Sequence, residues 1–231
     1  MIKHMIAILW KQLKDTFKNK EILIQFLMFP ILTIVMEKAV HVEGLPEHYF
    51  ANLFGAMYIA MAPLTSMTAI ISEEKEKNTL RVLMMANVKP MEYLIGVGVY
   101  ILVLCMMGAA VIATASGYEG TQWITFVAIM AVGELVSIVI GAAIGVWCKN
   151  QMAATSVTVP VMMIFSFLPM LASFNETISK VSKYTYSQQV NNLMGQVGNF
   201  DMQTENIVII GANILIATVL FVAAYRKKEL A

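Results

Sequence analysis

Six apolar stretches, each about as long as the ~20 residues a helix needs to cross a bilayer, decide what this chain can fold into. They fall at 22–42, 50–72, 93–116, 123–147, 153–174 and 207–225. Hydrocarbon holds no water, so a spanning segment must satisfy its own backbone, and a helix does so. The second, third, fifth and sixth stretches contain no Asp, Glu, Lys or Arg, and the fourth contains only Glu134. Glu37 and Lys38, near the far end of the first, belong at the membrane surface, where long side chains reach water. The expected fold is all-α: a polytopic membrane protein of six transmembrane helices, forming one domain over 1–231. Composition closes the alternatives. Apolar residues make up 58% of the chain and charged residues 13%, against ~25% charged in a typical soluble domain. That excludes a soluble enzyme and a disordered chain. A net charge of +1 leaves no footprint for nucleic acid. Cys105 and Cys148 are too few, in too apolar a setting, for a disulfide framework or a metal site.

Basic residues set the expected orientation. With the N-terminus inside, thirteen Lys and Arg lie on the inner side and three, Lys38, Lys180 and Lys183, on the outer. Both termini are therefore expected inside. Tyr49, Tyr93, Tyr118, Trp123, Trp147 and Tyr225 sit at expected interfaces. No cleaved leader is expected, since the first apolar run starts after a Lys-rich segment and no small-x-small pattern follows it. Residues 1–21 are expected to form an amphipathic interfacial helix. Ile6, Leu9, Trp10, Leu13 and Phe17 share one face of it, and lysines occupy much of the rest.

Residues 73–92 carry the most information. Ser72 is placed to cap a helix, with Glu73, Glu74 and Glu76 in its first turn. Leu80, Leu83, Met84 and Val88 then recur at helical spacing, and Lys89-Pro90 ends the pattern. The segment reads as a short charged amphipathic helix in the cytosol. It serves either solubility and topology or the docking of a cytosolic partner.

The run Glu74-Lys75-Glu76-Lys77-Asn78-Thr79-Leu80, followed by Met85-Ala86-Asn87-Val88-Lys89-Pro90, resembles the signature of the ABC type-2 export permeases. In that family a Glu-Lys-Glu-x-x-Thr-Leu run precedes a short helix and a small-polar-Pro turn. The resemblance implies that 73–92 is a coupling helix seated in a cleft of an ATPase subunit. Its contact residues would be Glu73, Glu74, Glu76, Asn78, Thr79 and Leu80. It also implies a working dimer, with a second copy or a related permease, in a bacterial plasma membrane. Residues 175–206 would be an outer, re-entrant helical segment near the exit. The chain lacks a Gly-x-x-x-x-Gly-Lys-Ser/Thr phosphate loop. It is thus expected to be no enzyme by itself and to bind no cofactor, with ATP and Mg on the separate ATPase.

Within the membrane, Glu134 is the residue to explain: it is protonated, paired or facing water. Either it has a function, or it is a neutral carboxyl bonded to a neighbouring helix. Gly141-x-x-x-Gly145, with Gly133 nearby, permits close helix packing, within the chain or between subunits. Nineteen methionines, among them Met57, Met61, Met106 and Met162 in the spans, are filler toward lipid or a path for lipophilic cargo. Cargo is expected to be hydrophobic or amphipathic, such as antimicrobial peptides or drugs. His41, Glu43, Glu47 and His48 are better explained as a solvated outer loop than as a metal cluster. Two other classes stay open: a six-span secondary carrier or ion exporter using Glu134, and a membrane scaffold that merely recruits a cytosolic protein.

Overall fold

The structure, a computed structural model, describes residues 2–18, 20–40, 44, 46–199 and 203–227, with backbone only at 2–5, 17, 18, 20–22 and 199. His41, Glu43, residue 42 at the end of the first apolar stretch and Lys228 lie outside the described residues, as does the side chain of Phe17. Every described element is helical. In chain order these are α1 (Ile2–Lys18), α2 (Lys20–Ala39), α3 (Tyr49–Glu76), α4 (Thr79–Met85), α5 (Pro90–Ala115) and α6 (Gly120–Trp147). There follow α7 (Gln151–Ala172), α8 (Glu176–Ser182), α9 (Tyr186–Met194), a 3-10 turn (Val197–Asn199) and α10 (Thr204–Lys227).

Among the described residues five helices, α3, α5, α6, α7 and α10, are long and apolar enough to cross a membrane. The sixth expected span, α2, is not among them. It carries charges at both ends, Lys20 and Glu21, then Glu37 and Lys38. Its side chains Ile24, Leu27, Ile31 and Val35 nevertheless form an exposed apolar strip at helical spacing.

The chain wraps around α3. That helix is mostly buried and packs on α2, α5, α6, α7 and α9, whereas α7 and α10 are mostly exposed. The tightest seam joins α3 to α6. Gly133, Ser137, Gly141 and Gly145 recur every fourth residue along α6 and so line one face. A Cβ at Gly141 would stand 2.6 Å from the Leu64 carbonyl oxygen, and one at Gly145 2.9 Å from Ile71 Cβ. Glycine is required there for the backbones to approach this closely. Two side chains stitch the seam: the Ser137 hydroxyl donates to the Ile59 carbonyl (2.6 Å), and Thr68 reaches the Gly141 carbonyl (3.0 Å). The small-residue pattern is thus used within the chain.

Helices α5, α7, α8 and α9 have visible start signals. The Asn150 side chain accepts from the Ala153 amide to cap α7 (2.9 Å), Asn175 does so for α8, and Thr185 for α9. Pro90 is the first residue of α5, where its missing N–H costs nothing. The expected 175–206 segment contains α8, α9 and the first turn of α10. Helix α9 buries Tyr186, Val190, Leu193 and Met194 against the bundle, while Val181 on α8 stays exposed. The Tyr186 hydroxyl lies 2.6 Å from that of Ser137.

Helix α1 is amphipathic, and part of its expected apolar face packs on the bundle, with Leu9 and Leu13 half-buried against the core. Ile8, Gln12 and Thr16 face the bundle, Ile8 resting on Gly96 of α5, and Trp10 and Ile6 point away. A helix with apolar residues on two faces has no sequence mark for which face meets protein.

Candidate functional site

The charged end of α3 and the short α4 form the site. Ser72 does not cap a helix. It lies inside α3, fully buried, and its hydroxyl donates to the Ala69 carbonyl (3.1 Å). Nothing between Ser72 and Glu76 breaks a helix, since Glu and Lys are good helix formers. So α3 runs on through the charged turn and stops at Lys77. Asn78 then adopts φ 55 and Asn87 φ 61, bracketing the seven residues of α4. Asparagine tolerates this left-handed conformation better than other residues with a side chain, glycine apart. The expected coupling helix over 73–92 is therefore three pieces: the last turn of α3, α4, and the first turn of α5.

Successive residues on a helix point roughly 100° apart. Three consecutive side chains of α3 accordingly reach three different neighbours. Glu74 turns to α1, where its Oε1 accepts from Lys11 Nζ (2.5 Å) and Gln12 Nε2 (2.6 Å). Lys75 turns to the end of α6 and donates to the carbonyls of Val146 (2.7 Å) and Cys148 (2.8 Å). That places a cation on the negative end of the α6 dipole. Glu76 turns to the start of α7 and accepts from the Gln151 amide (2.9 Å), an anion on a positive helix end. Glu73 pairs instead with Lys77 one turn on (2.5 Å), at the surface. By accepting that bond the Glu73 carboxylate holds the Lys77 ammonium charged to higher pH than usual. Burial pushes the Cys148 thiol up, and the Lys75 ammonium opposes it.

Helix α4 has two faces. Leu80 is fully buried, with Leu83, Met84 and Val88 packed beside it. The other face presents Asn78, Arg81, Val82 and Met85, all exposed. Of the six residues expected to contact a partner, Glu74 and Leu80 are thus buried within the chain. Thr79 is half-buried, and Glu73, Glu76 and Asn78 reach the surface. Sequence reasoning missed Val82 and Met85, 57% and 75% exposed. Their signal was available: with Asn78 they recur at i, i+4 and i+7, opposite the Leu80–Leu83 stripe. It also missed Lys11 and Gln12, which join the site only through the fold, and gave Lys75, within the signature run, no role.

Glu134 is elsewhere. It lies on α6, twelve positions before Val146, or about 18 Å along the axis. It is fully buried, and neither carboxyl oxygen has a hydrogen-bond partner among the described residues. Its polar neighbours are Tyr58 of α3 and Cys105 of α5. Ser137, one turn away on the same helix, is already engaged by Ile59 and Tyr186. Among the described residues no group of His, Cys, Asp and Glu could hold a metal ion, and His48 stacks on Tyr118 with ring centroids 4.2 Å apart.

In comparisons with known proteins, the family model described as ABC-2 family transporter protein matches residues 4–226, nearly the whole chain. No curated protein matches it.

Proposed function

The chain belongs to the ABC-2 transporter family, whose members are multi-pass membrane components of transporters and not themselves catalytic, and from that premise we propose that it is the six-span permease of an ATP-driven exporter. In this reading α2 is the first span, the end bearing α1 and α4 lies in the cytosol, and a separate ATPase docks on α4. The chain works as a dimer, with a second copy or a related permease, in a bacterial plasma membrane. It moves hydrophobic or amphipathic cargo such as peptides or drugs outward. ATP and Mg belong to the partner.

The observation that carries the reading is the outward face of α4. Val82 and Met85 are exposed apolar side chains at the chain's most charged end. Large apolar side chains in such a place suit anchors that fill a partner's cleft. Asn78, Arg81 and the Glu73–Lys77 pair surround them and set register and orientation. Glu74 and Leu80 act from inside, holding α4 and the end of α3 in place. A push on α4 then travels through Glu74, Lys75 and Glu76 to α1, α6 and α7.

Co-purification with the candidate ATPase tests this. A Val82→Asp/Met85→Asp chain is expected to elute as the wild type does alone and to lose at least tenfold of the bound ATPase. Undiminished capture would sink docking on α4. The carrier reading rests on Glu134 and its unpartnered oxygens. It predicts cargo flux that depends on Glu134 and needs no ATPase.

A further inference from the structure

Between α2, α3 and α7 a cleft of about 250 Å³ opens toward the α4 end. Its walls carry the hydroxyls of Thr65, Thr68 and Ser72 from α3 and of Thr155 and Thr158 from α7. Thr155 and Thr158, and likewise Thr65, Thr68 and Ser72, are three or four residues apart, so each set lines one helix face. Ala69, Val159 and Met162 supply apolar wall, and Glu73, one residue beyond Ser72 on α3, lines the cleft as well.

The direction of the hydrogen bonds decides what such a cleft can hold. A hydroxyl has one proton and two acceptor lone pairs. Thr68 gives its proton to the Leu64 or Gly141 carbonyl (2.9 and 3.0 Å), Ser72 to Ala69 (3.1 Å) and Thr155 to Gln151 (2.9 Å). Thr65 lies 2.6 Å from the Met61 carbonyl and 2.8 Å from Gln25 Oε1. These hydroxyls have spent their donors on their surroundings, and what they can still offer is acceptor lone pairs. Thr158 is different. It is 4% exposed and its oxygen has no partner among the described residues. A buried hydroxyl left without a partner is costly, so an unsatisfied one in a cleft wall marks a place for a ligand atom. No Lys, Arg or His is among the lining residues, and the donors left are the Thr158 hydroxyl itself, which also accepts, and the amides of Gln25 and Gln151. The one charge is the Glu73 carboxylate, whose companion Lys77 is 67% exposed and easily displaced.

We infer that this cleft is the loading site for an amphipathic organic cation, whose ammonium N–H groups bond to Thr158 and the neighbouring hydroxyls under the field of Glu73. This rests on the exporter reading for its place in transport and narrows the cargo from hydrophobic in general to cationic and donor-bearing. The volume sets the share of cargo held. Whole drug-sized sites occupy about 300–1,000 Å³, so this cleft takes the head group and its adjoining carbons. Those carbons lie along Ala69, Val159 and Met162, and the rest of the molecule extends out of the cleft.

The probe is N-dansyl-1,12-diaminododecane, with one free ammonium end, beside its N-acetylated neutral counterpart. Binding to the full-length chain in phosphatidylcholine nanodiscs is read as fluorescence in excess of empty discs. The ammonium form is expected to bind at least tenfold tighter than the acetylated form. Thr158→Val, isosteric and free of the orphan oxygen, is expected to weaken the ammonium form fivefold or more and leave the acetylated form unchanged. Glu73→Gln should weaken the ammonium form as well, and decides the matter if the first variant does not fold. Equal affinity of the two probes, no binding above empty discs, or indifference to both variants overturns the site. The Val82→Asp/Met85→Asp chain separates the two readings. It should keep the ammonium preference while losing the ATPase. A wild-type chain that binds the ATPase but shows no ammonium preference loses the cleft and keeps the docking face.

Discussion

Glu74 and Glu134 are both buried carboxylates on neighbouring helices, and the fold treats them in opposite ways. Glu74 sits at the water-side end of α3 with a lysine and a glutamine donating to one oxygen. Glu134 sits within the bundle with no donor to either. Burying a charge without compensation costs several kcal/mol, whereas one with bonded partners can be held near balance. Burial alone is therefore a poor guide to what an acid does. Glu74 is a joint, and its removal strands the groups that bond it. No hydrogen bond holds Glu134 among the described residues, so its side chain can change without breaking one of them. The chemistry open to it depends on Tyr58, Cys105 and whatever enters beside them.

The largest expected effect comes from inverting the charge of the unpartnered acid. Glu134→Lys puts a long cation where no carboxylate remains to meet it. A charge at a helix centre in the membrane costs about 3 kcal/mol or more, so the monodisperse peak in size-exclusion chromatography should disappear. Next is Glu74→Ala, which leaves the buried Gln12 amide without an acceptor. A loss of about 2 kcal/mol is expected, seen as a lower melting temperature in detergent. A Lys11→Met/Gln12→Leu/Glu74→Met chain should regain most of it, because replacing all the bonded partners by apolar residues leaves no buried polar group stranded. Asn78→Val should cost about 1–2 kcal/mol by forcing a β-branched residue into a left-handed turn, while Asn78→Gly should cost little. Smallest is Glu134→Gln, which keeps the shape and loses no bond. Its melting temperature should match the wild type within about 1 kcal/mol of stability. A large loss there would mean that Glu134 is bonded after all and would erase the contrast.

All six apolar stretches returned as helices of at least 20 residues with boundaries close to those read from the residues, and five of them are long and apolar enough to cross a membrane. The charged turn was legible as a site but not as a joint. Its partners Lys11, Gln12, Val146 and Gln151 lie 62 to 75 residues away along the chain. No local pattern announces such pairings. Helix α1 was recognisable as amphipathic, yet its protein-facing side is centred on the stripe of Ile8, Gln12 and Thr16, two of them polar. The hydroxyl-lined cleft left no trace in the sequence. Serine and threonine in spans usually bond their own helix, so only the meeting of α3 with α7 shows which oxygens share a space.

The last turn of α3 is fixed to three bodies through Glu74, Lys75 and Glu76. Kinematically, an object pinned at three points out of line has no axis left about which to rotate by itself. The chain changes direction at Asn78 and again at Asn87, the two left-handed turns on either side of α4. If α4 is the proposed docking helix, a stroke applied to it would meet two turns and one three-point anchorage. On that proposed reading, the stiffness of the asparagine turns relative to that of the three pins would set how much of the stroke reaches the membrane and how much is lost as slack.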